Sequence, residues 1–102
     1  MSPDFSTDLT WIEDHIRCAL PGTPCEVSGA EGRVVQAEGT RPSLTGVRLA
    51  GSGFEVGETV FVRYVTGTAE CGFYSKVRAS TPGTILLEPP VQILVTSMRA
   101  AA

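Results

Sequence analysis

A chain of 102 residues with eight basic and eleven acidic side chains, net charge −3, has room for one modest core and lacks the basic surplus of a dedicated nucleic-acid binder. No stretch approaches the ~20 apolar residues of a membrane span, which argues against membrane insertion. The three cysteines (18, 25 and 71), with no Cys-x-x-Cys and His15 as the single histidine, form neither a disulfide framework nor a paired set of zinc ligands.

These features predict one domain over residues 1–102, in a reducing compartment, with the cysteines as small apolar fillers. The start, Met1-Ser2-Pro3-Asp4, has neither the basic opening nor the apolar run of a signal peptide, so the expected location is cytoplasmic. The seven arginines are scattered, with no two adjacent, as on a solvated surface.

In chain order, residues 1–7 are polar and read as loose. Leu9, Ile12, Ile16 and Leu20 recur at helical spacing, and Thr10 with Glu13 has capping-box form. The spacing predicts a helix over about 9–19, ended by Pro21-Gly22. Trp11, His15 and Cys18 share a neighbouring face, which either flanks the barrel or docks a partner through Trp11. Short strands are expected over 23–28, 32–38 and 43–49, separated by Gly29-Ala30-Glu31-Gly32 and Gly39-Thr40-Arg41-Pro42. The second should hold Val35 and Ala37 on one side. In the third, Leu44, Gly46 and Arg48 face away from Val47 and Leu49.

The organising stretch runs from Val56 to Glu88. Six of the seven residues Thr59-Val60-Phe61-Val62-Arg63-Tyr64-Val65 are β-branched or aromatic. Val60, Val62 and Tyr64 point one way, and Phe61, Arg63 and Val65 the other. Both faces are apolar enough for a strand covered on two sides or one lining a closed barrel. Cys71 to Ala79 alternates next, with Phe73, Ser75, Val77 and Ala79 on the drier face and Tyr74, Lys76 and Arg78 on the wetter. Ser80-Thr81-Pro82-Gly83 turns the chain, Thr84–Leu87 forms a strand, and Pro89-Pro90 stops it. A last strand is expected over 91–97. The whole reads as a mainly β fold, a small six- or seven-stranded antiparallel (split) β-barrel over about 23–97 with one N-terminal α-helix.

No catalytic pattern accompanies this fold. One histidine on a helix makes no Ser/His/Asp set, and Gly51-Ser52-Gly53 is too short for a phosphate loop. The residues therefore predict a protein without enzymatic activity. Phe61→Ala is expected to be costly if the ring is buried and near neutral if it lies on the surface.

Arg41-Pro42-Ser43-Leu44-Thr45-Gly46 carries a Ser-x-x-Gly resembling part of the cyclic di-GMP site of PilZ domains. Arg41 stands where that pattern has an acid or amide, and its Arg-x-x-x-Arg segment has no counterpart here. The span from Gly57 to Arg99 is similar instead to the barrel domain that precedes PilZ in flagellar brake proteins. The matching pieces are Gly57–Tyr64, Phe73–Val77, Ile85–Pro90 and Met98-Arg99; they are mainly structural, and the N-terminal helix is not part of the pattern.

The resemblance implies a six-stranded split barrel related to flavin-binding barrels, usually without flavin. It also implies a protein-interaction role in bacterial cyclic di-GMP signalling, at the flagellar motor or another motility or envelope system. Partners would be a motility component or an adjoining PilZ domain, and a homo-oligomer is compatible with the pattern. The nucleotide-facing candidates are Arg41, Ser43, Gly46 and Arg99, with cyclic di-GMP as the ligand and no cofactor or metal. The partner-facing candidates are Trp11, Tyr74 and Arg78. Alternatives are a diverged PilZ domain that binds cyclic di-GMP and a flavin-binding split barrel. An OB-like single-strand binder would use Tyr64 and Tyr74 with Arg63, Lys76 and Arg78.

Overall fold

The computed structural model describes residues 4–6, 8–40, 46–67 and 69–97. Helix α1 spans Leu9–Ala19, as the spacing predicts, but its cap is Asp8 rather than Thr10. The Asp8 carboxylate accepts from the backbone N–H of Thr10 at 3.0 Å and of Trp11 at 3.2 Å. An acid immediately before the first helical residue satisfies two orphan amides and suits the helix dipole, which leaves Thr10 inside the first turn. Ile12, Ile16 and Leu20 are buried while Leu9 is exposed, so the apolar stripe begins one turn later than the spacing suggests.

Eight strands follow the order β1 (Asp4–Ser6), β2 (Pro24–Ser28), β3 (Val34–Gly39), β4 (Val47–Ala50), β5 (Thr59–Thr66), β6 (Ala69–Thr81), β7 (Thr84–Leu87) and β8 (Ile93–Ser97), with α1 between β1 and β2. Six of them close an antiparallel barrel in the order β6-β5-β2-β3-β4-β7 and back to β6. β8 pairs with the first part of β6, and β1 pairs with β8. The expectation that residues 1–7 are loose is thus corrected for Asp4–Ser6. Local sequence gives them little strand character, and β8 supplies the ladder hydrogen bonds.

β5, β6 and β7 form the expected meander. Gly67 (φ 57°) and Gly83 (φ 86°) take the left-handed conformations their tight turns demand. On β5, Val60, Val62 and Tyr64 are buried in the barrel, while Arg63 and Val65 are exposed and Phe61 is half-buried on the outer wall. Of the two readings of this strand, the one lining a closed barrel holds, and the outer face is open.

β6 carries the main departure from simple alternation. Val77 pairs with Leu87, yet Ala79 pairs with Leu86, so Arg78 is an extra residue in a β-bulge. The bulge reverses the side-chain phase. Ala79, expected on the dry face with Val77, lies on the outer wall in register with Leu86 and Arg48.

The interior is filled by Val27, Val47, Leu49, Val60, Val62, Tyr64, Phe73, Val77, Ile85 and Leu87, and no charged side chain is buried among the described residues. Each end is plugged. At one, Ile12 and Ile16 of α1 and its C-cap residue Leu20 join the core, and the following loop is tied to β3 by Gly22 N–H donating to Gly39 O at 2.8 Å and Gly39 N–H to Thr23 O at 2.9 Å. At the other, Phe54 is buried against Gly29, with the Arg33 guanidinium 5.6 Å over its ring. Among the described residues β3 and β4 share two paired positions, Glu38–Ala50 and Gly39–Leu49, and Gly51 and Gly53 of the loop after β4 lie against Ala37 and Val35. No helix among the described residues is long and apolar enough to cross a membrane.

A Cβ at Gly39 would collide with the Leu20 carbonyl oxygen. Gly39→Ala is therefore expected to lower stability by about 1–3 kcal/mol in urea unfolding; a change below about 0.5 kcal/mol would mean that the end of α1 is not seated on β3.

Candidate functional site

The outer wall of the barrel carries an aromatic pair. Strand register aligns Val34, Ser28, Phe61 and Tyr74 across β3, β2, β5 and β6. Phe61 and Tyr74 meet edge to face with ring centroids 4.7 Å apart. Gly72 makes this possible, because a Cβ there would run into the Phe61 ring. Tyr74 rests on that support with 73% of its surface exposed. Lys76 and Arg78 continue along the same strand, both exposed, with Arg78 projected by the bulge. One row away, Arg63 is engaged by Glu70 and, at 3.8 Å, by Glu26. Tyr64 faces the core. The aromatic and cationic set of an OB-like binder is thereby reduced to Tyr74, Lys76 and Arg78.

A second feature lies further round the wall. Arg48, Leu86 and Ala79 form one outward row, and Thr84 and Thr81 belong to the next. Together they line a shallow groove of about 350 Å³. Gly46, beside it at the start of β4, is buried, and a Cβ there would strike the Leu87 carbonyl oxygen. Close approach of β4 to β7 is thus sufficient reason for glycine at this position. Arg41, Ser43 and Arg99 lie outside the described residues.

The third feature is at the α1 end. Trp11, 40% exposed, stacks on the His15 ring at 4.6 Å and 12°. His15 Nε2 lies 2.9 Å from the hydroxyl of Tyr64, a residue only 2% exposed. Cys25 and Cys71 are the register partners of Tyr64 on β2 and β6. Burial pushes the Cys25 thiol up to about 11 and the Cys71 thiol upward as well, so both stay protonated and weakly nucleophilic. Two strands apart, roughly 9–10 Å, they are beyond disulfide reach, and all three cysteines are free. The filler reading holds for Cys25 and Cys71, whereas Cys18 is exposed on α1. No group of three or more His, Cys, Asp or Glu placed to hold a metal occurs among the described residues.

Of the candidates read from the sequence, Tyr74 and Arg78 come together on one strand, while Trp11 belongs to the barrel end. Sequence reasoning missed Arg48, the Phe61–Gly72 support and the His15–Tyr64 bond. Gly72 inside an alternating strand was the available signal, since an isolated strand glycine marks a close approach. No family model, curated protein or solved structure matches this chain.

Tyr74→Ala should cost about 0.5–1 kcal/mol, the worth of one cross-strand aromatic pair at an exposed site. Phe61→Ala should cost about 1.5–2.5 kcal/mol, roughly half the loss for a fully buried ring. Equal costs in thermal unfolding would contradict a platform in which Phe61 supports and Tyr74 presents.

Proposed function

We propose that this chain is a non-enzymatic interaction module whose wall along β6 receives a protein partner. The observation that carries this reading is the exposed Tyr74 ring, held edge to face on Phe61. An aromatic side chain loses little conformational freedom on binding, and tyrosine is enriched among the residues that dominate interface energies. Lys76 and Arg78 on the same strand favour a partner surface of acidic or mixed character. The setting, cyclic di-GMP signalling in motility or envelope control, is drawn from the resemblance to flagellar brake barrels. That resemblance rests mainly on segments lying in β5, β6 and β7 and the turn after β7. It supplies the occupant as well, an adjoining PilZ domain, with Trp11 as an additional contact.

The groove beside Gly46 supports a second reading, a diverged PilZ domain binding cyclic di-GMP directly. Arg48 and the hydroxyls of Thr81 and Thr84 are its polar groups, and arginine is well suited to phosphate oxygens.

Isothermal titration of the chain with cyclic di-GMP separates the two. Micromolar or tighter binding, weakened by Arg48→Ala, would establish the second reading. No heat at high nucleotide concentration is the outcome expected of an accessory module. For the first reading, an amide NMR titration with a purified PilZ domain should shift Phe61, Tyr74 and Lys76. Tyr74→Ala should weaken that binding about ten-fold or more, equivalent to ~1.4 kcal/mol, with the barrel still folded, and Trp11→Ala should weaken it less. The absence of shifts on this wall would reject β6 as the docking surface.

A further inference from the structure

The helix is joined to the barrel by a contact whose hydrogen bonding depends on one proton. We infer that the stack of Trp11, His15 and Tyr64 is a pH-operated latch that holds α1 across the end of the barrel. The inference stands apart from the β6 docking surface and concerns the opposite feature of the fold, the plug.

The Tyr64 hydroxyl is buried, and burial pushes its pKa up, so it keeps its proton and must donate it. His15 Nε2, 2.9 Å away, is its partner among the described residues. A neutral imidazole with its proton on Nδ1 accepts this bond, whereas an imidazolium has two N–H donors and no acceptor. Protonation therefore reverses the bond: Nε2–H can only donate to the Tyr64 oxygen, and the hydroxyl hydrogen loses its acceptor. It also places a charge at a half-buried position.

The surrounding charges do not override this. On α1, Asp14 pairs with Arg17 at 3.5 Å, and Glu13 is exposed. From the barrel, β5 presents Tyr64, while β2 and β6 present the protonated thiols of Cys25 and Cys71. Glu38 and Glu70 act on those thiols. Stacking on Trp11 favours the cation modestly. The balance nevertheless lowers the His15 pKa below its ordinary value of 6.5, with burial as the cause. A depressed histidine pKa in the folded state means that the unfolded chain binds the proton more readily. The latch therefore contributes fully above about pH 6.5, begins to weaken below it, and is lost as pH falls through the folded-state value.

Trp11 is the single tryptophan of the chain, so its fluorescence reports the stack. The experiment follows Trp11 emission maximum and acrylamide access from pH 8 to pH 4.5, beside the His15 Cε1 proton shift and the far-ultraviolet circular dichroism. The expected result is a red shift and increased access with a midpoint below 6.5, tracking the His15 titration while the sheet signal persists. His15→Gln should abolish the step. Tyr64→Phe, which keeps the ring and removes the hydroxyl, should move the His15 midpoint up towards 6.5. A Trp11 signal that stays constant while His15 titrates would overturn the latch. So would an unchanged step in His15→Gln, or an unaltered His15 midpoint in Tyr64→Phe.

Discussion

Closure of the barrel depends on one strand serving two neighbours along a single edge. β6 pairs with β5 on one side and divides its other side between β8, over Ala69–Gly72, and β7, over Val77–Thr81. A regular strand of 13 residues would run straight past the ring. The bulge at Arg78 bends it and turns its later residues towards β7, so that Leu87 and Ile85 face inward beside Val77. The interior then has only side chains to fill it, and the alternation of β2, β4, β5, β7 and the part of β6 before the bulge provides them.

The same bend organises the outside. It sends Arg78 outward and brings Ala79 and Thr81 beside Leu86 and Thr84, making the groove near Arg48. Upstream of it, Gly72 lets Phe61 lie flat enough to support Tyr74. The wall thus carries an aromatic platform and a groove with one cation, on either side of the bulge. Glycine recurs wherever backbone or ring must come close: Gly39 under Leu20, Gly46 against Leu87, Gly72 under Phe61.

The two plugs differ in chemistry. Phe54 closes its end through an apolar ring beneath the Arg33 guanidinium. Helix α1 closes the other through three aliphatic residues and the bond between His15 and Tyr64, which titrates. Burial raises the thiols of Cys25 and Cys71 beside that bond, which suits packing rather than redox chemistry.

Much of this was legible in the chain itself. Periodicity located α1 close to its observed bounds, and β-branched alternation with Gly and Pro turns located β2 to β8 within a few residues and put Val60, Val62 and Tyr64 on one face, without telling that this face is the inner one. These signals are local, since side-chain direction follows directly from helical or strand period. Tyr74 and Arg78 were legible as outward residues for the same reason. What only the tertiary structure decided is non-local. Strand character at Asp4–Ser6 exists because β8 offers an edge. The outward turn of Ala79 follows from the bulge at Arg78, within the part of β6 that pairs with β7, and glycine at position 46 from a neighbouring carbonyl in β7. The meeting of His15 with Tyr64, 49 residues apart, is likewise set by which barrel end α1 covers. Periodicity tells which way a side chain points from its own backbone, and only closure of the ring tells what it meets there.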